Sequence, residues 1–255
     1  MQSPGTCAPL LVQRCLACFG GSVFGRPLAG GGDIHVATDG NFHHRHRRLA
    51  GDCPTFYDPV YFISKAQVDA VRRRIERARK RQPRKHKAPV PDEAIDQCQT
   101  SYEAADAKKK KVAMDSFDDT GLMALICRHD IPLFFANIDT PGKQQKYSIA
   151  LIEHLFSLLP LQANVITLYD VGCVLSRSLD QYDILDSSIT SHVCFATTAM
   201  HAYGHEWACQ LVYNPRLVVG LGLSDGKGTE QLWSHFIRLI GIECTSSRQR
   251  RIWLI

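Results

Sequence analysis

Residues Asp33–Phe42 read DIHVATDGNF, and the fold turns on how this stretch is read. Side chains alternate along an extended chain, so Ile34, Val36 and Thr38 share one face of a strand. The next segment, FHHRHRRLAG (Phe42–Gly51), has the polar character of an edge partner, which predicts a hairpin. Asp39 then has two readings that the residues leave open. Followed by Gly40 and Asn41, it fits a tight turn. As a carboxylate carried on a strand, it fits one corner of a divalent-metal site.

Outward from this stretch the pattern is layered α/β. DIPLFFANID (Asp130–Asp139) and ANVITLYDVG (Ala163–Gly172) are short apolar runs that predict buried strands, the second with Asp170 at its C-terminal end. Between them a helix is predicted after Pro141, stopped by Pro160. HVCFATTAM (His192–Met200) predicts a fifth strand, HAYGHEWACQLVY (His201–Tyr213) a helix, and GTEQLWSHFIRLIG (Gly228–Gly241) a last helix. Val68, Val71, Ile75 and Ala78 recur at spacings of three and four among Arg and Lys, predicting a basic amphipathic helix from Ser64 to about Arg81. Prolines 83, 89 and 91 end it, and a second, polar helix is predicted from Asp92 to about Ala113, with KKKK at its end. These two helices read as an insertion at about 62–115 in a domain spanning 33–255. Residues 1–32, ending in a glycine-rich stretch, read as a cysteine-containing segment and loose linker.

Composition narrows the class. The chain has 255 residues, 45% apolar and 22% charged, enough for a full hydrophobic core without disulfides. No apolar run has the length of a membrane span, and no basic start precedes the N-terminal apolar patch, so an intracellular protein with reduced thiols is expected. The net charge of +5 hides an asymmetry. Arg72–Lys87 holds ten Lys or Arg and one Glu, a charge of +9, which leaves 5 − 9 = −4 for the rest. Such a block suits a polyanion or a nuclear import receptor, and equally a solvated surface segment. Arg72, Arg73, Arg77, Lys80 and Arg81 are the candidate phosphate contacts.

The candidate chemistry lies in acids, cysteines and histidines. Asp39, Asp170 and Glu230, at strand ends and a helix start, could converge to hold two divalent cations for phosphoryl chemistry. Asp39 as a turn acid and Glu230 as a first-turn helix acid remain the structural alternatives. Cys7, Cys15 and Cys18 give C-x7-C-x2-C, three sulfurs that do not close a tetrahedral zinc site, with Cys53 a candidate fourth. Cys127 and His129 on one side of a strand, with His205 and Cys209 one turn apart on a helix, make a second candidate zinc set, against free core thiols and imidazoles. Trp207 and Trp233 read as core residues.

Several long blocks carry a resemblance: DGNFHHRH from Asp39, FDDTGLMALICRHDIPLFFANIDTPGKQQKYSIALIEHLFSLLP from Phe117, LYDVGCVLSRSLDQYDIL from Leu168, AMHAYGHEWACQLVYNPRLVVGLGLSDGKGTEQLWS from Ala199 and SSRQRRIWLI from Ser246. In this order they closely resemble the Kyakuja-Dileera-Zisupton transposases of fungal mobile elements. The resemblance implies a ribonuclease-H-like mixed sheet flanked by helices and a DDE-type catalytic triad at Asp39, Asp170 and Glu230. It further implies Mg2+ or Mn2+, DNA strand cleavage and transfer at transposon ends, a nuclear location, partners in DNA and a second copy of the chain, and cysteine-rich stretches before the core. Two departures stand out. Lys227 and Gln231 replace an acid and a basic residue of the family pattern DGEGTERLWS, and family members extend further at both ends, so a fragment or decayed copy is expected. A catalytically inactive DNA-binding descendant is the rival expectation.

Overall fold

The computed structural model describes residues 5–85, 89–107, 116–140 and 145–255. The predicted start of the helix after Pro141 and the KKKK segment lie outside these residues. Five strands form one mixed sheet: β1 (Ile34–Asn41), β4 (Gly121–Cys127), β5 (Pro132–Ile138), β6 (Val165–Tyr169) and β7 (Val193–Ala196). Their order is β5-β4-β1-β6-β7. β5, β4 and β1 pair antiparallel, while β1, β6 and β7 run parallel. The first three strands form a meander, and each later strand is reached by a crossover through a helix, as parallel pairing requires.

The central strand is formed by the Asp33–Phe42 stretch, and it does not make a hairpin with the polar segment after it. Asp39, Gly40 and Asn41 continue β1 and pair with Ala124, Met123 and Leu122 of β4. Aspartate followed by glycine signals a turn only where no better pairing competes, and here β1 gains a partner on each side. Gly40 serves contact, not turning: a Cβ there would lie 2.9 Å from the Met123 sulfur. The polar segment after β1 contributes β2 (His46–Arg47), which pairs with β3 (Phe117–Asp119) in a separate two-stranded sheet.

Alternation divides the apolar residues between two cores. Ile34 and Val36 of β1 join Leu125, Phe134 and Tyr169 on one face, while Ala37, Ala124, Ile126 and Leu168 pack on the other. The first core is covered by α3 (Lys65–Ala78), α5 (Gln145–Phe156) and α6 (Gly172–Gln181). α3 begins at a capping box, with Ser64 accepting from the Gln67 N–H and the Gln67 side chain accepting from the Ser64 N–H. It buries Val68, Val71, Ile75 and Ala78, the predicted apolar stripe. α4 (Asp92–Ala107) lies against α6 and α9 (Trp207–Tyr213). The short α7 (Ser187–Thr190) leads into β7. The second core is covered by α10 (Gly228–Phe236) through Leu232 and Trp233.

The residues before β1 are packed, contrary to the loose linker expected from their glycines. Two short helices, α1 (Pro9–Arg14) and α2 (Leu16–Phe19), bury Leu11 and Phe19 in the first core. Gly31, with φ 101°, touches Gly220 so closely that a Cβ would lie 2.7 Å from its Cα. The predicted helix His201–Tyr213 is broken. α8 (Ala199–Ala202) ends before His205, and α9 starts at Trp207. α9 buries Cys209 and Tyr213, one turn apart, and leaves the expected core residue Trp207 70% exposed.

At the C-terminus α11 (Ile240–Thr245) and α12 (Arg248–Leu254) close over β2 and β3. Buried Glu243 pairs with buried His44, and buried Arg251 reaches Asn137 Oδ1 at 2.6 Å and the His44 carbonyl at 3.0 Å.

Candidate functional site

Asp39 and Asp170 stand at the same edge of the sheet. The parallel register joins Thr38 to Tyr169, so the next residue of each strand, Asp39 and Asp170, emerges beside the other. Neighbouring strands lie about 4.8 Å apart. Both acids are 5% exposed. Asp39 shares the strand face of Ala37, which turns it toward α10, and the Trp233 indole N–H donates to its Oδ2 at 2.9 Å. Asp170 is held from the other side: the Thr198 hydroxyl donates to its Oδ1 at 2.8 Å, and His201 Nδ1 lies 2.9 Å from the same oxygen. Gly172 makes this turn compact, since a Cβ there would sit 2.7 Å from the Ala196 carbonyl oxygen.

Glu230, in the first turn of α10, is exposed and one helical turn before Trp233. The three carboxylates act on one imidazole. The hydrogen bond to Asp170 raises the His201 pKa against the effect of burial, and the charges of Asp170, Asp39 and Glu230 add to the rise. Thr198 and His201 lie just after the fifth strand, where no sequence pattern marks them as partners of Asp170.

Among the described residues, three groups bring ligand atoms of His, Cys, Asp or Glu within 4.8 Å of one another, and the three acids are not one of them. Two of the groups could hold a metal such as zinc: Cys15, Cys18, Cys127 and His129, and Cys98, Cys173, His205 and Cys209. The predicted set Cys127, His129, His205 and Cys209 is therefore divided between two sites. Cys127 ends β4 and His129 lies in the turn after it, where its Nδ1 is 3.5 Å from Cys15 Sγ and 3.2 Å from Cys18 Sγ. The residues beside the C-x2-C pair are thus Cys127 and His129 in place of the expected Cys7 and Cys53; Cys53 instead accepts a hydrogen bond from Ser247. Within this quartet the Cys127 thiol is held below the usual cysteine range, chiefly by a hydrogen bond from Cys18 and further by backbone hydrogen bonds at His129 and Ile131. Burial pushes Cys98, in the other quartet, up to about 11. The third group, His46, Asp118 and Asp119, is an ion-pair cluster. His46 uses one nitrogen on Asp118 at 2.6 Å and the other on the Ser246 carbonyl at 2.8 Å, and Arg248 bonds Asp118 at 2.7 Å.

The family model of the Kyakuja-Dileera-Zisupton (KDZ) transposases matches residues 33–255, most of the chain. The chain belongs to the KDZ transposase family. No curated protein and no solved structure matches it. KDZ membership points to a transposase, a DNA-processing enzyme, with DNA as the substrate. No helix among the described residues is long and apolar enough to cross a membrane.

In this KDZ chain the basic block lies away from the acids. Arg72, Arg73, Arg77, Lys80 and Arg81 are all exposed. Arg72 is 3.5 Å from Asp69, and Arg77 donates to the Arg73 carbonyl. Arg77 and Arg81, with Arg74 and Arg84, line a cleft of about 310 Å³ that ends at Tyr182 and Asp183. Because α3 covers the first core and α10 the second, the basic helix and Asp39 sit on opposite faces of the sheet. Lys227 is the N-cap of α10; its ammonium is 3.8 Å from Asp225.

Proposed function

We propose that this KDZ chain is the DDE-type catalytic core of a DNA transposase with a ribonuclease-H-like fold, cleaving and joining DNA strands at transposon ends in the nucleus. One observation carries the reading: Asp39 within β1 and Asp170 just past the end of the adjacent parallel strand β6 stand side by side, with Glu230 close enough for its charge to act on the same imidazole as theirs. The mixed sheet, a meander of three antiparallel strands extended by two parallel ones and flanked by helices, supports this reading. We retain residues 1–32 as a segment distinct in role from this core, with α3 and α4 as its insertion.

The donor chemistry of the three acids fits Mg2+ or Mn2+, which favour carboxylate oxygens. A pair of divalent ions needs several carboxylate oxygens from different elements, and β1, the end of β6 and α10 each offer one acid. Bound there, such ions make an attacking oxygen nucleophilic and stabilise the leaving one. The chain's own residues supply the rest. Trp233 fixes one oxygen of Asp39, and Thr198 with His201 fixes one of Asp170, so each carboxylate meets its load already oriented. The hydrogen bond to Asp170 and the charges of the three acids favour the protonated form of His201. Lys227 faces Asp225, so its replacement of the family acid leaves the trio's composition intact.

The test is cleavage of a transposon-end duplex with Mg2+, comparing the wild-type chain with Asp170→Asn and Asp39→Asn. Products from the wild type alone are expected. Equal products from all three proteins, or none from any, would leave only the DNA-binding role.

A further inference from the structure

We infer that Cys98, Cys173, His205 and Cys209 form a structural zinc site that ties the inserted helix α4 to the Asp170 end of β6. The four side chains come from distant parts of the chain: α4, the start of α6, the loop between α8 and α9, and α9 itself. Their ligand atoms nevertheless all lie within 4.8 Å of one another. Cys173 Sγ is 3.5 Å from His205 Nδ1. With Zn–S of about 2.3 Å and Zn–N of about 2.0–2.1 Å, the edge of a zinc tetrahedron is also roughly 3.5 Å.

The histidine is already oriented for a metal. Its Nε2 lies 2.7 Å from the Asp170 carbonyl oxygen, which can only accept. The proton therefore resides on Nε2, and the lone pair of Nδ1 is directed at the sulfurs. A ligating imidazole whose second nitrogen donates to a backbone carbonyl is the usual way proteins fix the tautomer at zinc. One sulfur already has a backbone donor beside it: the Glu206 N–H donates to Cys98 Sγ at 3.3 Å. Cys98, Cys173 and Cys209 are buried. Three sulfurs and one imidazole complete a tetrahedron, so the site is closed and its role is to hold the fold, not to activate water. Soft sulfur ligands select zinc over the hard cations that suit the carboxylates.

The site has two effects. It anchors α4 at Cys98, beside the buried Ile95. Through His205 it also fixes the backbone of Asp170 without touching the carboxylate. His205 is thus a positioning residue, and only this second effect rests on the catalytic reading of Asp170.

Zinc content is the measurement, made by mass spectrometry on the full chain purified without chelators. In a Cys15→Ser/Cys18→Ser background, which silences the other quartet, one zinc per chain is expected. Adding Cys173→Ser removes it, whereas adding Cys98→His, which preserves four ligands, keeps it. Should that background fail to fold, the wild-type chain serves: Cys173→Ser then lowers its zinc content by one equivalent. Hydrogen exchange supplies the second readout, with faster exchange in segments 92–102 and 165–181 once the ion is lost. Zinc content unmoved by Cys173→Ser, or absent from folded protein that retains the quartet, overturns the site. Unchanged exchange at 165–181 after zinc loss overturns the tie to Asp170. Neither readout uses strand cleavage, so an inactive trio would leave the zinc measurement unaffected.

Discussion

Replacing Trp233 by Phe isolates the contact that holds Asp39. The indole N–H donates to Asp39 Oδ2 at 2.9 Å inside a site where the acid is 5% exposed. Phenylalanine keeps an aromatic ring beside His44, whose centroid is 5.5 Å from that of Trp233, and beside Phe236, at 6.5 Å. The principal loss is therefore one hydrogen bond to a charged acceptor, about 1.5–3 kcal/mol, with a smaller addition for the missing part of the ring. Urea unfolding reads this loss directly: with a slope of about 1–3 kcal/mol/M, the midpoint falls by roughly 1 M. A double-mutant cycle with Asp39→Ala separates the hydrogen bond from the ring, and a coupling of about 1.5–3 kcal/mol is expected. In the cleavage assay Trp233→Phe should slow the reaction at saturating Mg2+, because a carboxylate without its donor must be oriented at the moment of reaction. A coupling below about 0.5 kcal/mol, with cleavage unchanged, would refute the claim that α10 positions Asp39.

Ile75→Ala removes a buried side chain between α3 and the first core, and should cost about 2–5 kcal/mol in denaturant unfolding. Neutralising Arg73, Arg77 and Arg81 to Gln should leave that stability within about 0.5 kcal/mol. The same triple substitution should lower the salt slope of DNA affinity by up to about 0.9 for each phosphate no longer neutralised; an unchanged slope in salt titrations would move the DNA elsewhere. Burial, with the nearby charges of Arg72 and Lys65, lowers the Lys146 pKa from 10.5 to about 8, so between those values the unfolded chain binds the extra proton and stability rises with pH. Lys146→Met should flatten that rise in urea midpoints measured from pH 7 to 10.5, and an identical profile would refute it.

Much of this architecture was legible because its signals are local. The stripe Val68, Val71, Ile75 and Ala78 repeats within one helix, and the apolar runs around Phe134 and Leu168 need only burial on two faces to become strands. Asp170 at a strand end and Glu230 at a helix start could be placed by the same reasoning. Pairing across distance was not legible in this way. The partner of Asp39 in β4 lies more than eighty residues away, so the local turn signal at Gly40 misled. The zinc-like quartets failed similarly: spacing identified half-sites such as C-x2-C and His205 with Cys209, but not which halves join. Cys98 had a signal, an i, i+3, i+7 row with Ile95 and Tyr102, that reads as an ordinary apolar face until Cys173 and Cys209 are seen beside it. The break at Gly204–Glu206 follows from the same cause, since His205 turns to meet the Asp170 carbonyl and Cys173 rather than extend a helix.

Helix α6 links the two charged regions of the molecule and fixes their separation. It starts at Gly172, two residues after Asp170, and ends at Gln181, beside the cleft lined by Arg77, Arg81 and Arg84. Ten residues span about 15 Å. Since α6 packs on the first core while Asp39 turns to the second, the thickness of the sheet adds to this distance. The arginines are thus too remote to neutralise charge developing at a phosphate brought beside Asp39 and Asp170. Their field can still draw in a polyanion and hold a flanking segment of it, because an unbent duplex places a phosphate charge every 1.7 Å or so along its axis. In the proposed function, chemistry at the acids and capture at the basic helix are therefore separable. In the proposed transposase, losing the arginines weakens binding while leaving the cleavage step itself in place, and losing a carboxylate does the reverse.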